Sequence, residues 1–70
     1  MKTSYVIQFD FPEGVVFAGL DRGAWAFAPS LATAHVFVDA LGARRVLDNA
    51  YGDAVRPWGT VKPLTTTANV

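Results

Sequence analysis

"PSLATAHVFVDALGARRVLDNAYG", residues 29–52, decides how this chain folds. Stepped at about 100° per residue, Leu31, Ala34, Phe37, Val38 and Leu41 share one stripe. Ala40, Ala43, Val46, Leu47, Ala50 and Tyr51 share a second, with Arg44, Arg45, Asp48 and Asn49 opposite it. The stripes are about half a turn out of phase, so one straight helix cannot bury both. His35-Val36-Phe37-Val38 is β-branched and aromatic, which favours extended chain. Asp39 is a good N-cap and Gly52 a good C′ residue. The expectation is a helical turn over 30–34 capped by Ser30, an extended link through Phe37, and the main helix over 39–51. The competing reading is two short helices, 30–41 and 43–51.

Upstream, "YVIQFDF" (5–11) puts Tyr5, Ile7, Phe9 and Phe11 on one face and Val6, Gln8 and Asp10 on the other, the period of a half-buried strand. Pro12-Glu13-Gly14 ends it with turn chemistry. "VVFAGL" (15–20) reads as a second strand, with Gly19 marking a bulge. "DRG" (21–23) leads into a third strand, 24–28, with Trp25 and Phe27 on one side and Ala24, Ala26 and Ala28 on the other. Downstream, a strand is expected near 54–62, at an edge because Pro57 has no N–H to give. The fold class is α+β: a three- to four-stranded antiparallel meander with one main amphipathic helix on one face. It is expected as a single domain over 1–64 with a frayed tail over 65–70.

Seventy residues make one domain at most. A chain this short buries only roughly 60% of its unfolded surface, so its core must be rich in large side chains. Five Phe, two Trp and two Tyr supply them. Phe9, Phe17, Trp25 and Phe27 are assigned to the core beneath the helix, which leaves them unable to stack on bases. The alanine face of the third strand then lies bare, with Val6, Gln8, Asp10, Val16, Ala18 and Leu20 beside it. A flat, mildly apolar face of this kind is covered by a terminus, a second copy or a partner, so the chain is expected as a monomer or a homodimer through this face or an edge strand.

Six basic residues balance six acidic ones, which argues against both a phosphate-tracking protein and an acidic DNA mimic. With no Cys there is no disulfide framework and no thiolate metal site. The start alternates polar and apolar rather than forming a leader's apolar core, and no apolar run reaches the length of a membrane span. Beginning at Met1, the chain is expected to be a complete small gene product of the cytoplasm.

His35, the only histidine, has no Cys, Asp or Glu at metal-ligand spacing. Ser30, His35 and Asp39 could compose a triad on paper, but residues so close on one segment rarely reach triad geometry. No phosphate loop is present. The expectation is a protein that is not an enzyme and takes neither cofactor nor metal. "RPWGTVK" (56–62) is the best interaction candidate, because Trp and Arg are enriched at binding hot spots. Arg56, Trp58 and Lys62, with Arg44, Arg45 and Asp48 on the polar helix face, form the candidate partner-binding set. The alternative for Trp58 is that it folds back and closes the sheet.

The succession "YVIQFDF…VVFAG…GAWAFAPSLATAHVF…RVLDNAYG" resembles the layout of small phage and mobile-element proteins, the anti-CRISPR proteins of bacteriophages among them. The resemblance covers most of 5–52 as pattern and contains no diagnostic motif. It implies a stoichiometric inhibitor that blocks a bacterial defence complex by binding it, with a CRISPR surveillance subunit as the partner and the host cytoplasm as the place. No residue role carries over. The other expectations are a small nucleic-acid-binding or regulatory protein using Arg22, Arg44, Arg45, Arg56 and Lys62, and a homo-oligomeric structural protein.

Overall fold

The computed structural model describes residues 2–66. Strands β1 (Lys2–Phe11), β2 (Gly14–Asp21) and β3 (Ala24–Ala28) are followed by helix α1 (Ala40–Ala50) and strand β4 (Gly59–Thr66). The strands form one antiparallel sheet in the order β3-β2-β1-β4, so the architecture is α+β, with α1 laid on one face. Two-residue turns make the meander. Asp21 pairs with Ala24, and between them Arg22 (φ 55°) and Gly23 (φ 81°) both take the left-handed region, the geometry that matches strand twist in a tight hairpin.

The register settles which side chains share a face. Phe9 lies opposite Val16, and Ala18 opposite Phe27. The helix side therefore carries Tyr5, Ile7, Phe9 and Phe11 with Val16, Ala18, Leu20, Trp25 and Phe27. Phe17 falls on the opposite side with Ala24, Ala26 and Ala28. This corrects the sequence reading, which put Phe17 beneath the helix and Val16, Ala18 and Leu20 on the alanine side. Nor is that side bare throughout, since Val6 and Ala28 are buried. Gly19 makes no bulge, for the β2–β3 register runs unbroken through its pair with Ala26. Its lack of a side chain has another reason: a Cβ there would stand 3.1 Å from the Ala28 Cβ and 3.5 Å from the Thr33 carbonyl oxygen.

The stretch 29–39 takes the turn-and-link form. A single 3₁₀ turn, Leu31–Thr33, sits over the alanine side of β2. Ser30 occupies its N-cap position, but its hydroxyl caps no backbone N–H and meets the Thr33 hydroxyl instead. The link is then stitched to two strands. The His35 N–H donates to the Ala18 carbonyl (2.9 Å), and Tyr5 and Phe37 exchange both backbone bonds (2.9 and 2.7 Å). The β1–β2 ladder ends at Gln8 and Phe17, and the link passes through the opening between the strands to the helix side. There Phe37 is buried, its ring stacked 5.6 Å from that of Trp25.

Asp39 caps α1 through a 2.6 Å bond from the Gly42 N–H to its Oδ1. Ala43 and Leu47 face the core with Ile7, Phe9, Ala18, Phe37 and Tyr51, whereas Val38 and Leu41 stand in solvent. Gly52 does not adopt the left-handed conformation expected of a C′ glycine. The helix end is held by Arg56, whose Nη1 donates to the Asp48 carbonyl at 2.8 Å, a favourable place for a cation. Residues 54–58 are turn and 3₁₀ rather than strand, because Pro57 and the chain reversal after α1 keep them out of the ladder. β4 begins at Gly59 and continues through Thr65 and Thr66, opposite Thr3 and Lys2. Residues 65 and 66, expected in the tail, belong to β4, and the rest of the expected tail, 67–70, lies outside the described residues.

Candidate functional site

An eleven-residue helix cannot roof four strands, and α1 lies over β1 and β4. Through the turn at 56–58 it leads into β4, which pairs with β1, so what the helix itself lends to β3 at the far edge is what its end reaches across. That is Tyr51. Its ring packs 5.0 Å from Phe9 and 5.5 Å from Phe27, and its hydroxyl donates to the Ala26 carbonyl at 2.6 Å. Burial pushes the hydroxyl's pKa up, and a hydrogen bond with the Gly19 backbone opposes the shift.

Beyond Tyr51 the roof stops and an aromatic ledge begins. Phe11 is its centre, with ring centroids 5.9 Å from Phe27 and 6.0 Å from Trp58, both edge-on. Phe9, fully buried, stacks 5.7 Å beneath Phe11 and holds it in place. Phe27 keeps 46% of its surface exposed and Trp58 43%, so each ring has one side on the core and one in solvent. Trp58 is aimed by the 3₁₀ turn Arg56–Trp58: Pro57 presets its start, and the Trp58 N–H donates to the Val55 carbonyl at 3.0 Å. Trp58 folds back against Phe11, as the alternative reading had it, and keeps its outer side in solvent. Phe27 was misassigned to the core. The signal that finds it is the helix length set against the strand order.

The other candidates do not gather around Trp58. Arg56 turns to the helix end, donating to the Asp48 carbonyl and pairing with Asp53. Asp48 also pairs with Arg44 across one helical turn at 3.4 Å, and Arg45 is exposed beside them. Lys62 lies opposite Val6, on the side of the sheet away from α1. His35 is half-buried edge-on to Trp25 (5.1 Å) and Phe37 (4.7 Å), while the Asp39 carboxylate holds Gly42 and the Ser30 hydroxyl meets Thr33. The three residues of the paper triad are thus engaged separately.

What the ledge offers chemically is contact. Three rings at three angles give apolar area whose cost in side-chain entropy is already met by packing on the core, and the Trp58 indole adds a rim donor. No helix among the described residues is long and apolar enough to cross a membrane. No family model, curated protein or solved structure matches the chain.

Proposed function

We propose that this chain is a non-catalytic protein-binding module that docks through the Phe11–Phe27–Trp58 ledge. The observation that supports this most is the pair of half-exposed rings, Phe27 and Trp58, braced against a third ring that is itself stacked on the core. Preformed aromatic anchors are the usual centres of protein interfaces. In the specific form implied by the resemblance to small phage inhibitors, the partner is a subunit of a bacterial defence complex of the CRISPR kind, blocked stoichiometrically in the cytoplasm. The nucleic-acid reading gains nothing from the geometry. Arg44 and Arg45 stand on α1, Lys62 points from the opposite side of the sheet, and Arg56 is held by Asp53 and the helix end.

The test is capture from bacterial lysate on the immobilised chain, with Trp58→Ala and Phe27→Ala as comparisons and circular dichroism to show that each is folded. A protein retained by the wild type should bind each variant at least tenfold more weakly, in line with a hot-spot loss of about 2 kcal/mol. Equal retention by wild type and variants removes the ledge from the interface. Retention of nucleic acid that fades steeply with salt selects the alternative.

A further inference from the structure

The sheet has two edges, β3 and β4, and they are finished differently. Because Tyr5 exchanges both backbone bonds with Phe37, odd-numbered residues of β1 address the β2 side and even-numbered ones address β4. On β4, Thr60, Lys62 and Leu64 therefore pair inward, and Gly59, Val61 and Pro63 face outward. Pro63 has no N–H, so this edge is interrupted in its middle.

β3 carries no such block. The Ala18 carbonyl accepts from His35, so Ala18 faces away from β3, while Phe17, Gly19 and Asp21 address Ala28, Ala26 and Ala24. That leaves the N–H and C=O groups of Trp25 and Phe27 pointing off the sheet. Among the described residues no hydrogen bond closes on those four groups. Residues 24–28 contain no proline, charge or bulge. They read Ala-Trp-Ala-Phe-Ala, an alternation that is the same in either direction.

The geometry points to a second copy of this chain as the occupant of the β3 edge, paired antiparallel about a two-fold axis at Ala26. This inference rests on the backbone groups of the edge and not on the aromatic ledge, although the two surfaces share Phe27. In that register Trp25 meets the partner's Phe27, and the reverse, so the four outward groups of each copy are all paired, once each, and four inter-chain bonds form. An axis on Trp25 or on Phe27 would make a single self-pair with two bonds. On the helix side, each half-exposed Phe27 gains the partner's Trp25 as a cross-strand neighbour. On the other side only alanines meet, so nothing holds the copies apart. Just outside the strand, Arg22 comes opposite Ser30, and no like charges face each other. A heterologous strand could use the same edge, but the two-fold match of Trp25 to Phe27 is specific to a self-pair.

The experiment is sedimentation of the full chain up to about 1 mM, the weak end of the affinity scale, for wild type, Ala26→Lys and Ala26→Glu. Ala26 faces its own counterpart across the axis, so each variant sets like charges directly opposite. Wild type should dimerise, each variant should dimerise at least tenfold more weakly, and an equimolar mixture of the two should recover the dimer. Hydrogen exchange on the wild type reads the same site without substitution: the Trp25 and Phe27 amides should gain protection as concentration rises, with the Val61 amide on the β4 edge as a control that does not. A chain that stays monomeric throughout overturns the inference. So does a dimer that both variants leave intact, or amide protection that ignores concentration.

Discussion

The Tyr51 hydroxyl donates to the Ala26 carbonyl at 2.6 Å, joining the end of α1 to the middle of β3 across 25 residues of sequence. Among the described residues it is the one polar bond by which the helix end grips the far edge strand, and the ring beneath it touches Phe9, Trp25 and Phe27.

Tyr51→Phe keeps the ring and deletes the bond. The expected loss is about 0.5–1.5 kcal/mol, read as a fall of roughly 4–8 °C in melting temperature per kcal/mol in a domain of this size. Tyr51→Ala should lose about 3–5 kcal/mol and leave little folded protein. The pH dependence has a definite sign. Burial raises the folded-state pKa above the unfolded value, so the hydroxyl's contribution is fully present below about pH 10 and is lost as pH climbs through the folded value. Thermal melts at rising alkaline pH should show wild type losing its advantage over Tyr51→Phe. A constant gap between the two would contradict the raised pKa.

Gly59 opens β4 against the tightest part of the core. A Cβ there would lie 2.6 Å from Leu47 Cδ1 and 2.9 Å from Phe9 Cε1. Leu47 can shift, but the fully buried Phe9 ring has nowhere to go. Gly59→Ala should therefore destabilise by about 1–3 kcal/mol through overpacking, although alanine is ordinarily the better strand residue. Chemical denaturation is the measurement, and a neutral or stabilised variant would show that Phe9 is less confined than its packing implies.

Arg56 acts on α1 from outside the helix. Its guanidinium is partly exposed, so the bond to the Asp48 carbonyl and the pair with Asp53 together should be worth about 0.5–1 kcal/mol. Arg56→Ala should melt a few degrees lower, while Arg45→Ala, exposed on the same helix, should stay within about 0.5 kcal/mol of wild type. Equal effects of the two substitutions would remove Arg56 from the helix end.

Asp39 begins the same helix. Asp39→Ala forfeits the bond to the Gly42 N–H and should lose about 0.5–2 kcal/mol, whereas Asp39→Ser should restore most of it. Thermal melts of the three proteins settle the order.

What could be read from the residues follows where one face of a segment differs plainly from the other. β3 was legible to the residue, because a left-handed two-residue turn precedes an aromatic–alanine alternation that Pro29 ends. The helix was legible because Asp39 caps a stripe ending at Tyr51. β2 was legible as a strand but its facing was not, since Val15, Val16, Phe17, Ala18 and Leu20 are apolar in both phases and only the Phe11–Gly14 turn pairing decides between them. Trp58 stood out among its neighbours, but Phe27 did not: its exposure depends on which strand the helix crosses, and that is set by the order β3-β2-β1-β4. The work of Arg56 at the helix end was hidden for a similar reason. It depends on a chain reversal that brings residue 56 back beside residue 48.

The pairing of Lys2 with Thr66 places the first strand of the chain beside the last. During synthesis the backbone groups of Ser4, Val6 and Gln8 that point toward β4 must wait until residues 59–66 have left the ribosome. A nascent or truncated chain ending before Gly59 carries a sticky, half-finished β1, with Phe9 and Ile7 missing part of their cover, and is the form in which this protein is most exposed to aggregation.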